Sequence, residues 1–173
     1  MSGGNSRVVY SWDTNVFLAL MKKETDKSLP DIEAVANEIE QGKADLVVST
    51  VVVVEMLTVF DDPALAVSFI AFLRRPNVLL VSVDFRVARK TAELRFQWRA
   101  DQTHGSDNRN IKMPDAMILA TAILYQVTVL HTFDTPMQRH NKSALVSGMA
   151  ITEPRLHGGQ RVLDLPHDSA TPN

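Results

Sequence analysis

The sequence predicts an α/β fold with a mainly parallel sheet covered by helices, and three observations predict it. Short apolar runs alternate with helical stretches along the whole chain. The runs are continuously apolar, which is the pattern of strands buried on both faces. No internal repeat or linker divides the 173 residues, and 45% of them are apolar, enough for one domain with a real core.

The elements follow in order. Val8-Val-Tyr-Ser-Trp-Asp13 reads as a short buried strand, and helix follows from Thr14 to about Lys23. Ser28 to Pro30 starts the next helix, which spaces Ile32, Val35, Ala36 and Ile39 along one face. Gly42 ends it. Asp45 to Ser49 is a second strand. Thr50 is a candidate cap for a helix from Val51 to about Phe60, although four consecutive valines favour a strand on propensity alone. Pro63 sits in the first turn of another helix, through Phe72, and Arg74 to Asn77 is a turn. Val78 to Val83 is a third strand, and Asp84 caps a long amphipathic helix to about Ala100. Asp101 to Lys112 is a polar loop. Pro114-Asp115 opens a helix over Ala116 to Tyr125, and Val127 to Thr132 is a fourth strand. Ala150 to Thr152 or Arg161 to Asp164 supplies one more. The resulting organisation is a flexible N-terminus over 1–7, one domain over 8–165 and a flexible tail over 166–173.

Composition removes several chemistries. The chain has no cysteine, which excludes disulfides, zinc–thiolate sites and cysteine nucleophiles. Its formal charge of -2 is too low for binding driven by phosphate contacts alone, so a nucleic-acid enzyme here needs a metal or a local basic patch. The N-terminus lacks the apolar run of a signal peptide, and the most apolar stretch, Leu46 to Phe60, is too short to span a bilayer. A cytoplasmic protein with no membrane partner is expected.

In a parallel sheet of this kind, ligands sit beyond the carboxyl ends of the strands. Four acids fall there. Asp13 ends the first strand, Glu55 lies one to two turns into the helix after the second, Asp115 opens the helix before the fourth, and Asp134 follows the fourth by two residues. Four carboxylates brought together repel one another, and a hard divalent cation removes that cost. Mg²⁺ or Mn²⁺ bound there activates water and offsets charge on a phosphoryl oxygen, which points to phosphodiester hydrolysis. Asn15 and Thr132 are spaced to support the acids from behind.

Four segments carry a resemblance: Val9 to Phe17 (with Asp13-Thr-Asn15), Val48 to Leu57, Met113 to Ala122 and Leu130 to Asp134. In this order they resemble the PIN-domain family, over roughly Val8 to Ile151. The resemblance implies a three-layer α/β/α fold with a five-stranded sheet, and a Mg²⁺- or Mn²⁺-dependent ribonuclease using Asp13, Glu55, Asp115 and Asp134, with Thr132 and Asn15 in support. Many small members resemble VapC toxins, so an RNA substrate, an antitoxin partner and a homodimer are implied as well. The chain departs from the shortest toxins in the insertion Gln102 to Lys112, the tail after Ile151 and Thr-Pro-Met after Asp134.

Plainer readings stand beside these. Asp13, Asp84 and Asp115 suit helix caps and Asp134 a turn, whereas Glu55 inside an apolar helix needs a partner or water. Arg109, Lys112 and Arg139 flank the acids and are the candidate substrate contacts. Arg74-Arg75 reads as a solvated turn, and Arg86, Arg89, Lys90, Arg95 and Arg99 as mostly exposed. Phe96 and Trp98 read as core or partner contacts before base-stacking platforms, and His104 and His157 have no metal spacing. A non-catalytic module that binds RNA or protein is the competing function.

Overall fold

The fold is organised on its first strand, β1 (Val8–Trp12), in a computed structural model that describes residues 7–100 and 111–157. β1 pairs on one side with β2 (Ala44–Ser49) and on the other with β4 (Val129–His131), both in parallel. β3 (Val78–Val81) extends the sheet beyond β2, and β5 (Ala150–Thr152) extends it beyond β4. The order is β3-β2-β1-β4-β5, and all five strands are parallel. The chain winds outward from β1 to β3 and then returns to the other side of β1. The winding direction therefore reverses between β1 and β4, which is where a crevice opens beyond the strand ends of such sheets.

Seven α-helices are described: α1 (Thr14–Lys22), α2 (Leu29–Glu40), α3 (Thr50–Val59), α4 (Pro63–Leu73), α5 (Phe85–Ala100), α6 (Met113–Leu124) and α7 (Thr135–Gln138). α1 packs with α2, α3 and α4, while α6 packs with α5 and α3. Both α2 and α6 lie against β2, where Leu46, Val47 and Val48 are all buried. Successive strand residues point to opposite faces, so burial of three in a row means the sheet is covered on both sides. In α2, Ile32, Val35, Ala36 and Ile39 are the buried positions, as their spacing predicts. An aromatic cluster of Trp12, Phe17, Phe69 and Phe72 joins β1 to α1 and α4, with ring centroids 5.1–5.9 Å apart.

Several boundaries differ from expectation, each for a local reason. β3 stops at Val81 instead of Val83, because the Asp84 amide donates back to the Ser82 carbonyl in a tight turn. β3 is also an edge strand, so Leu79 and Leu80 are about half exposed and not buried on both faces. β4 is shorter than 127–132 because the Val127 amide still donates to Ala122 at the end of α6. α6 begins at Met113, with Pro114 and Asp115 inside its first turn. Ser49, not Thr50, caps α3, its hydroxyl accepting from the Val51 amide at 3.4 Å. The valines of α3 are helical because Val52 inserts into the core and Val51 and Val53 pack at its margin, a tertiary gain that outweighs their weak strand preference. β5 is Ala150–Thr152, while Arg161 to Asp164 lies outside the described residues.

Candidate active site

Asp13 stands at the reversal between β1 and β4. Its amide donates to the His131 carbonyl across the two strands at 3.0 Å, so the sheet ladder itself fixes its backbone. It is also the N-cap of α1, with Oδ1 accepting from the Thr14 amide at 2.7 Å. Oδ2 accepts from Asn15 Nδ2 and from Thr132 Oγ1, each at 2.8 Å. One oxygen thus caps α1 while the other is held by Asn15 and Thr132. Only 6% of Asp13 remains exposed.

Asn15 and Thr132 tie three elements together. Asn15 Oδ1 accepts from the Phe133 amide at 3.1 Å, which joins the first turn of α1 to the segment after β4. Thr132 Oγ1 donates to Asp13 and accepts from the Asp134 amide at 2.9 Å. Asp134 is the N-cap of α7, with Oδ1 accepting from the Met137 amide at 3.2 Å. Gln138, which sequence reasoning missed, donates to the Thr132 carbonyl at 2.8 Å and closes the same turn.

Glu55 sits at the partly buried margin of α3, and its carboxylate accepts a hydrogen bond from the Thr14 hydroxyl. Thr14 was also missed. The signal for it was a hydroxyl directly after Asp13, on the turn that faces the next helix. Asp115, in the first turn of α6, lies close enough to feel Asp13, Asp134 and Glu55.

The electrostatics record this crowding. Burial raises the Asp13 carboxyl above the usual range, the hydrogen bonds from Thr132 and Thr14 oppose the rise, and the charges of Glu55 and Asp134 add to it. Asp115 is pushed up to about 6, first by burial and then by Asp13 and Asp134, against a lowering by Lys112. His131, beside Asp13, is buried and packed on Tyr10 with ring centroids 5.1 Å apart. Burial lowers its pKa to about 3, so it stays neutral and offers no charge to the acids at neutral pH.

Among the described residues no group of three or more Asp, Glu or His side chains is drawn together as a ready-made ligand set. The donor chemistry nevertheless suits a hard cation: carboxylate oxygens whose proton affinities are raised by burial and by one another. Asp115 and Asp134 also line a cavity of about 320 Å³, with Lys112 in its wall. Arg139 is exposed at the end of α7, and Arg109 lies outside the described residues. Arg75 is not a freely solvated turn residue, since it pairs with Glu40 at 2.5 Å and stacks on Phe72 at 4.2 Å.

The chain thus combines an all-parallel sheet with acids at its carboxyl edge and an Asp13-Thr-Asn15 turn that ties β1 to the segment after β4. Residues 10–142 match the PIN domain family. The chain belongs to that family. Several solved structures share the fold at low identity. A chain of Rickettsia felis VapBC2 bound to a promoter DNA fragment is 16% identical, with a TM-score of 0.58 over 83% of this chain and 97% of that one. A chain of a toxin–antitoxin complex from Klebsiella pneumoniae is 19% identical, with a TM-score of 0.53 over 73% and 87%. Mycobacterium tuberculosis VapC20, described as a sarcin–ricin loop cleaving toxin, is 16% identical, with a TM-score of 0.54 over 75% and 93%. No curated protein sequence matches the chain. Among the described residues, no helix of this PIN domain is long and apolar enough to cross a membrane.

Proposed function

We propose that this PIN domain is a divalent-metal-dependent endoribonuclease, the toxin of a toxin–antitoxin pair acting in the cytoplasm. The observation that carries the reading is Asp13: nearly buried, held through both oxygens, and raised in proton affinity by burial and by two other acids. A carboxylate so placed is costly without a cation. Asp13, Glu55, Asp115 and Asp134 are the residues that would hold Mg²⁺ or Mn²⁺. The cation would supply an activated water and charge stabilisation at the phosphorus. The chain's own residues orient the site: Asn15 and Thr132 aim Asp13, Thr132 also fixes the Asp134 backbone, and Thr14 holds Glu55. Lys112 and Arg139 are proposed phosphate contacts at the rim, with Arg109 as a third.

An antitoxin partner is proposed from the Klebsiella pneumoniae neighbour, a toxin–antitoxin complex. A homodimer is proposed on the outer faces of α3 and α4, where Val54, Leu57, Val67 and Ile70 are exposed. The domain proper is proposed to span 8–165, beyond the 10–142 matched by the family.

The test is cleavage of pooled tRNA, ribosomal and synthetic RNA by wild type, Asp13→Asn and Asp115→Asn, with Mg²⁺, Mn²⁺ or EDTA. Discrete metal-dependent cuts are expected for wild type, and both variants are expected to lose them while keeping a native circular-dichroism spectrum. Retained cutting in either variant would sink the assignment of the acids. A folded, inhibitor-free wild type that never cuts would favour the non-catalytic binding module.

A further inference from the structure

The cavity beside the acids has a second character. Its lining combines Asp115, Asp134 and Lys112 with Trp98, Ile111, Pro136 and Met137. At about 320 Å³ it lies at the small end of the range for ligand cavities, roughly 300–1,000 Å³. Trp98, on α5, is held against His140 with ring centroids 3.8 Å apart, so the indole is fixed before anything enters. Trp98, Ile111 and Met137 are each nearly buried and give the cavity a fixed apolar side.

We infer that this cavity receives one nucleobase of the RNA strand, adjacent to the phosphate presented to Asp115 and Asp134. The inference rests on the reading of the acids as a phosphodiester site. Two features favour a base over an apolar protein side chain. The slot is continuous with the acid cluster through Asp115 and Asp134, so its occupant must sit next to whatever those acids address. Lys112, in the same lining and close enough to Asp115 to lower its pKa, supplies a positive charge for the phosphate next to the occupant. A flat ring fills an aromatic-walled slot, and single-stranded RNA presents unstacked bases to such walls. Trp98 is buried, as expected of a core or partner contact, and it also lines this cavity.

The chain has two tryptophans, Trp12 in the core and Trp98 at the cavity, so fluorescence reports the slot directly. Full-length Asp13→Asn protein is titrated with AMP, GMP, CMP, UMP and ribose 5-phosphate in the presence of Mg²⁺, alongside the same protein carrying Trp98→Phe. The nucleotides are expected to quench emission and ribose 5-phosphate to leave it unchanged, with the quench absent in the Trp98→Phe protein. A short single-stranded RNA is then made with one base removed at each position in turn. One position flanking the wild-type cut should weaken binding at least about five-fold, the lower end of what a stacked base contributes, and distant positions should not. This second measurement needs no tryptophan variant and so survives a folding defect in Trp98→Phe. Equal responses to ribose 5-phosphate and nucleotides, or no response at millimolar nucleotide, overturn the base slot. If the wild-type preparation cuts RNA while these titrations fail, the slot falls and the nuclease stands. If nucleotides quench Trp98 but no RNA is cut, the slot stands and the reading of the acids falls.

Discussion

Thr132 uses one hydroxyl for two jobs: it donates to Asp13 Oδ2 and accepts from the Asp134 amide. Thr132→Val keeps the shape but leaves the part-buried Asp134 amide without this acceptor and removes one of the two side-chain donors to Asp13 Oδ2. Chemical denaturation should show a loss of about 1–3 kcal/mol, and cleavage should fall with it. Thr132→Ser should recover most of both. Asp115 gives a pH signature of its own. Its carboxyl moves from 3.8 to about 6 on folding, so between those values the folded chain holds a proton that the unfolded chain has released. The unfolding free energy of the metal-free protein should therefore fall as pH rises through that window, and Asp115→Asn should flatten the slope. Cation and proton compete for the same oxygens, so stabilisation by Mg²⁺ should be complete above pH 6 and fade as pH drops through it. Melting temperatures measured with and without Mg²⁺ at each pH check both statements.

At the scale of elements, Asn77 ties the entry of the edge strand β3 to the turn between α2 and β2. Its side-chain amide donates to the Ile39 carbonyl and, at 2.7 Å, to the Ala44 carbonyl. Asn77→Ala should cost about 1–3 kcal/mol in a denaturant titration, without altering cleavage of folded protein. What the sequence made legible at this scale follows from periodicity. The α2 stripe of Ile32, Val35, Ala36 and Ile39 names its own buried face, and the apolar run of β2 names a covered strand. The run Val78 to Val83 looked equally covered, but composition carries no information on sheet order, and β3 proved to be an edge. Asp13 was legible because it ends a strand. Thr14 and Gln138 were not, because a hydroxyl or amide at a helix end has many uses, and only the packing of α1 against α3, or the return of α7 onto the segment after β4, selects one.

For the whole molecule, the strand order brings together acids more than 100 residues apart, and all strand ends meet at one edge because every pairing is parallel. Helix α3 belongs to two neighbourhoods at once. Val52 and Met56 anchor it in the core, Glu55 stands at its margin beside Thr14, and Val54 and Leu57 look outward. If a second copy seats on that outer face and its seating holds Glu55 in the position that binds the cation, association and cation uptake are coupled, and each then strengthens the other by the same factor. Diluting the protein should then raise the Mg²⁺ concentration needed for half-saturation, and Val54→Asp should make that concentration independent of dilution, as read by titration calorimetry. On the proposed reading, a low copy number would by itself leave the cation site empty and the domain idle.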